Sequence, residues 1–138
     1  MKYLIDAPKS YPYRGAKNNR DLLSFHETLN CIGKIRITFN YKNSSREYEN
    51  PHVNIPLFLS EIGDFLGRVN EEKSVRWYLG FAPFAHGRLE EGDLLLSARA
   101  GRDFFNEVYD ITPAREVSQL KLLVAKDEER FGRLLKRP

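Results

Sequence analysis

Leu29-Asn30-Cys31-Ile32-Gly33-Lys34-Ile35-Arg36-Ile37-Thr38-Phe39-Asn40-Tyr41 is the stretch whose reading decides the fold. Every odd position in it is apolar or glycine, and every even position except Ile32 is polar. Successive side chains of a strand leave the backbone on opposite sides, so a period of two predicts a strand with one dry and one wet face. The pattern returns at Val75, Trp77, Leu79 and Phe81, alternating with Ser74, Arg76, Tyr78 and Gly80. The chain is therefore expected to build a half-solvated sheet. One straight strand from Leu29 to Tyr41 would reach about 43 Å at about 3.3 Å per residue, twice the usual length. Gly33 is expected to mark a bulge, bend or turn, and Leu22 to Thr28 reads either as a short helix or, preferably, as the first arm of a hairpin that turns near Asn30 to Gly33.

Composition narrows the class. A chain of 138 residues with 41% hydrophobic and 12% aromatic side chains has the material for a folded core. Its 22 basic and 19 acidic residues leave a net charge of +3, too small an excess to imply nucleic acid without knowing how it is distributed. The one cysteine, Cys31, cannot form an intrachain disulfide, and its dry-face position predicts an inert core thiol. There is no apolar run long enough for a signal peptide or a spanning helix. A cytoplasmic protein with no membrane contact is expected.

Pro8, Pro12, Gly15 and Asn18-Asn19 disfavour regular structure, so residues 1–20 read as an extended N-terminal arm and 21–138 as a single domain. Polar residues from Lys42 to Val53 suggest a surface loop. A helix should follow, capped by Asn54 with Pro56 in its first turn and an apolar face of Phe58, Ile62, Phe65, Leu66 and Val69. Gly63 would let this helix approach the strands. Strands are predicted over Ser74 to Phe81, Asp93 to Ala100 and Asp103 to Ile111, with turns at Glu91-Gly92-Asp93 and Gly101-Arg102. The last helix is expected to be capped by Thr112, with Pro113 at its first position and Val117, Leu120, Val124, Phe131 and Leu134 on its dry stripe. Together these elements predict an α+β fold: an antiparallel sheet of four to five strands with two helices packed on one face.

Function is less legible. If Ile35, Ile37, Trp77, Leu79, Leu94 and Leu96 are dry, the opposite face presents Lys34, Arg36, Thr38, Arg76, Tyr78, Ser97 and Arg99. Arginine and tyrosine among charges suit an acidic protein partner, and less closely a nucleic-acid backbone; an antiparallel sheet also needs polar residues simply to solvate one face. Phe81-Ala82-Pro83-Phe84-Ala85-His86-Gly87 reads as an apolar connection that either contacts a partner through Phe84 and His86 or closes the core. Lys9, Arg14, Lys17 and Arg20, interleaved with Tyr11 and Tyr13, could follow a single-stranded nucleic acid, although the RNP1 pattern of RNA-recognition sheets is absent.

A hydrolase would have to use His86 with Glu90 and Glu91, and no HExxH, GxSxG, P-loop or GxGxxG motif supports one. Glu61 and Asp64 read as a solvated helix face. No metal or cofactor is implied. The expected function is a small non-catalytic protein-binding module, of the inhibitor or immunity (antitoxin-like) type, acting through a basic sheet face; a basic nucleic-acid-binding domain and a small hydrolase are the alternatives.

Overall fold

The computed structural model describes residues 1–6, 32–70, 73–99 and 107–135. Within these residues the order is β1 (Lys2–Asp6), β2 (Ile32–Tyr41), β3 (Ser44–Asn54), α1 (Ile55–Arg68), β4 (Val75–Leu79), β5 (Ala82–Glu90), β6 (Asp93–Arg99), β7 (Glu107–Thr112) and α2 (Ala114–Leu135). The fold is α+β with antiparallel pairing, as the alternation predicts. The strands, however, form two sheets rather than one: β1-β2-β3 and β4-β5-β6-β7.

Three segments depart from their predicted state. Lys2–Asp6 is not part of an arm but an edge strand paired with β2, Tyr3 opposite Ile37. The remaining arm residues, the segment from Leu22 to Cys31 and the Gly101-Arg102 turn lie outside the described residues. The polar stretch taken for a loop is β3, which turns back on β2 at Lys42-Asn43. Most side chains of this edge strand are exposed, and charged residues are common on sheet edges, so Arg46, Glu47 and Glu49 suit a strand there as well as a loop. Its register against β2 shifts between Gly33 and Ile35, as the glycine suggested, and Pro51 falls at this irregularity, where a missing ladder N–H is tolerated. The apolar connection from Phe81 is the turn into β5 and its first half.

Ile35, Ile37 and Phe39 of β2 and Tyr3 of β1 face the interior with Ile55, Phe58, Leu59, Ile62, Phe65 and Leu66 of α1. Trp77, Leu94, Leu96, Ala98 and Val108 supply the dry face of the second sheet. Trp77 is fully buried, stacked on Phe65 at 5.7 Å between ring centroids and met edge-on by Phe84 at 5.1 Å. Asn54 caps α1 as predicted, accepting the Leu57 N–H at 3.0 Å.

Gly63 faces α2 rather than the strands: a Cβ there would lie 3.6 Å from a Val124 methyl and 2.7 Å from Glu128 Oε1. Close approach of helix to strand is instead made at Gly87, where a Cβ would come within 2.9 Å of the Phe65 ring. The predicted dry stripe of α2 is buried at Val117, Leu120, Val124 and Phe131. Its first turn is capped differently from expectation, since the Ala114 N–H donates to Asp93 Oδ1 at 2.9 Å across the fold.

Thr112 is not a cap because it is committed elsewhere. Its hydroxyl donates to Asp110 Oδ2 at 2.7 Å and accepts from the Met1 ammonium. That ammonium also pairs with Asp110 Oδ2 at 2.9 Å, both groups being without solvent exposure, while Asp110 Oδ1 accepts the Asn40 N–H at 2.7 Å. One carboxylate thus joins the start of β1, the end of β2 and β7. Nearby, Tyr3 donates its phenol to Asp127 Oδ2 at 2.7 Å, tying β1 to α2. Burial and the adjacent Asp127 carboxylate push the Tyr3 phenol far above its ordinary range, so it remains a donor.

Two outcomes follow. Asp110→Asn leaves a buried ammonium without its countercharge and is expected to cost about 3–5 kcal/mol in urea unfolding. A loss below about 1 kcal/mol would show that the pair is not a structural node. For Tyr3, the raised folded pKa means its contribution is complete below pH of about 10 and is lost as pH rises further, because only the unfolded phenol ionises. Tyr3→Phe should flatten the alkaline limb of a stability–pH profile; an unchanged limb refutes the assignment.

Candidate functional site

The outer face of β4–β7 is the site the fold assembles best. Strand register sets Arg76 opposite His86, His86 opposite Ser97 and Ser97 opposite Tyr109, so four strands contribute one lateral row. A second row runs Arg88, Leu95, Ile111. Cross-strand partners of an antiparallel pair share a face, with Cβ atoms about 5 Å apart. His86, Ser97 and Tyr109 of the first row and all of the second, with Ser74 and Tyr41, line an open groove of about 460 Å3, and Arg76 stands beside it across from His86. Its centre is apolar. Tyr41 comes from the other sheet and lies 5.6 Å from Tyr109, while Lys42 Nζ stands 5.3 Å from the Tyr41 ring centroid.

Among the described residues Asp110 is the only carboxylate lining the groove, and it is buried and paired with the Met1 ammonium. Arg88 donates to Glu90 at 3.2 Å, an exposed pair worth no more than about 1 kcal/mol and easily exchanged. Among the described residues no carboxylate pairs with Arg76 or His86.

The predicted basic face is therefore divided. Arg76 and His86 do come together, with Ser97 between them and Tyr109, and Tyr78 is half-buried two residues along β4. Lys34 and Arg36 belong to β2 in the other sheet, where Glu49 sits directly opposite Arg36. Lys34 is ion-paired to Glu49 and the Arg36 guanidinium lies 3.9 Å from the same oxygen. The hydrogen bond from Lys34, aided by both positive charges, holds the Glu49 carboxyl below its usual range. This half of the predicted face is balanced rather than basic. The side chain of Arg99 lies outside the described residues.

Phe84 does not join this face: it is buried. The β4–β5 register shifts between Trp77 and Tyr78, Trp77 facing Ala85 and Tyr78 facing Pro83, so Phe84 is the extra residue of a bulge. The bulge turns its ring inward, against Trp77, Tyr48 and Phe39. His86, Glu90 and Glu91 are spread along β5 and the turn after it. His86 and Glu90 are four residues apart on one extended strand, about 13 Å, and Glu91 occupies the next turn, with φ 53°. Among the described residues no three His, Cys, Asp or Glu side chains are grouped to hold a metal, and no helix is long and apolar enough to cross a membrane.

A feature missed in the sequence lies at the β4–β5 turn. Gly80 and Phe81 both have positive φ, 60° and 67°, and Phe81 is 80% exposed. Phenylalanine in the left-handed region costs roughly 1–2 kcal/mol. Glu61 offsets that cost. Its two carboxylate oxygens accept the N–H groups of Gly80 at 2.7 Å and Phe81 at 2.9 Å. Asp64, by contrast, makes only the exposed pair with Arg68 one turn on. Glu61 is nineteen residues from Gly80 in the chain, so no local spacing announces the clamp.

Comparison of the chain with protein-family models, with curated proteins and with solved structures gives no match. The geometry alone carries the functional argument.

Replacing Glu61 by Ala should release the turn. Amide exchange at Gly80 and Phe81 is expected to accelerate, with a stability loss of about 1–3 kcal/mol for two hydrogen bonds to a charged acceptor. Unaltered exchange at both amides would count decisively against the clamp.

Proposed function

We propose that this chain is a small non-catalytic protein-binding module that engages an acidic partner through the outer face of β4–β7. The observation that carries the reading is the composition of that face: His86 and Arg88 line the groove with Leu95, Ile111 and two tyrosines, Arg76 stands across from His86 in the same row, and the one lining carboxylate among the described residues is paired with the Met1 ammonium. Such a patch has the anatomy of an interface, with an apolar and aromatic centre and a polar rim rich in arginine. A blocking role, as of an inhibitor or immunity-type protein, needs only a face of this kind and no reacting group. Cations beside tyrosines also suit a nucleic-acid strand, whose binding would carry the steep salt dependence of counterion release.

The test is an NMR titration with a short peptide of glutamates around one phenylalanine. Amide shifts should concentrate at Arg76, His86, Leu95, Ser97, Tyr109 and Ile111. The double substitution Arg76→Glu, Arg88→Glu should weaken binding about tenfold or more without unfolding the domain. A stronger, salt-sensitive response to single-stranded oligothymidylate would move the face to nucleic acid. Absence of any response at these residues would end the reading.

A further inference from the structure

A second surface differs from the sheet face in kind. Beside the β4–β5 turn lies a cleft of about 290 Å3 whose walls include Tyr48, His52, Leu57, Leu79 and Pro83. Phe81 is not among its walls although its neighbours Gly80 and Ala82 are, so its ring projects away from its own cleft into solvent. The chain therefore carries an aromatic knob and an apolar hole side by side. A cavity near 150 Å3 is enough to take a benzene ring. The cleft has room for the side chain of Phe81.

We infer that Phe81 inserts into this cleft of a second copy of the chain, reciprocally, about a two-fold axis. Knob and hole on one patch are what an isologous contact requires, because the same surface must serve both sides. Charge favours the same occupant. A two-fold axis brings each charge near its own copy, so a patch of one sign repels itself; the basic face of β4–β7 is unsuited to this. The turn from Leu79 to Pro83 carries no charge at all. Among the described residues the one carboxylate on the cleft, Glu61, is already engaged by two backbone N–H groups, and His52 is the only basic side chain lining it.

Area sets the strength. Two phenylalanine rings and the walls they cover would bury on the order of 600–1,000 Å2, short of the roughly 1,600 Å2 of a standard interface. The dimer is therefore weak and concentration-dependent, with Kd on the order of 0.1–1 mM. Clamping by Glu61 contributes by holding the knob in place before contact, which reduces the ordering cost of association.

Sedimentation velocity from about 10 μM to about 1 mM tests the inference on the full chain. Wild type should shift from monomer toward dimer over this range. Phe81→Gly removes the knob while suiting the positive φ, so it should self-associate at least about tenfold more weakly with no fall in Tm. Leu57→Arg places a charge in the hole and should weaken association similarly. A wild-type chain that stays monomeric throughout overturns the inference. So does a dimer that survives Phe81→Gly, or one that is lost with Phe81→Gly but unaffected by Leu57→Arg. Neither substitution touches the groove on β4–β7, so peptide binding there separates failure of this contact from failure of the proposed function.

Discussion

The carboxylate of Asp110 is the polar tie at the junction of the two sheets. It takes the Met1 ammonium, the Thr112 hydroxyl and the Asn40 N–H together, and so binds three strands at a point where no β-ladder runs between the sheets. Removing one member of a buried ion pair costs several kcal/mol because the other remains desolvated, whereas an ordinary hydrogen bond contributes about 1 kcal/mol. That difference makes the node a constraint on geometry. With the end of β2 held against β7, Tyr41 must lie beside Tyr109, and the groove acquires a wall from the other sheet.

The aromatic core decides which way β5 presents its side chains. Trp77 occupies the space between Phe65 and Phe84, and Phe84 reaches it only because the bulge adds a residue opposite Trp77 and Tyr78. Simple alternation from His86 would have put Phe84 outside with it. The bulge reverses the parity, giving Phe84 to the core and leaving His86 in line with Arg76 and Ser97. A packing requirement thus selects the members of the surface row.

Charge then separates the surfaces by use. On the three-stranded sheet, Glu49 meets Lys34 and Arg36 directly, and the face is balanced. On the four-stranded sheet the carboxylate lining the groove is paired inside the fold, and the basic side chains of the lining are His86 and Arg88, the latter paired with Glu90 at the rim. The turn at Gly80-Phe81 is neutral and apolar. Basic, balanced and neutral patches favour different neighbours, since electrostatic complementarity selects partners more than it adds affinity.

Period-two alternation at Ile35 to Phe39 and Val75 to Leu79, helical spacing from Phe58 to Leu66 and from Val117 to Phe131, and the Asn54 cap are local properties of the chain. They determined the α+β class, both described helices and most of the dry residues, because burial of one face acts through nearest-neighbour geometry. β3 escaped because an edge strand needs little apolar material, and the Glu61 clamp and the Asp93 cap escaped because each joins residues about twenty positions apart. Arg76 and Ser97 were legible as wet positions and His86 as part of an apolar connection, but not as neighbours. Only the tertiary structure decided that Lys34 and Arg36 would meet Glu49 on another sheet, that Phe84 would turn inward and that Phe81 would stand out, because register, bulge position and sheet division are set by long-range packing rather than by side-chain period.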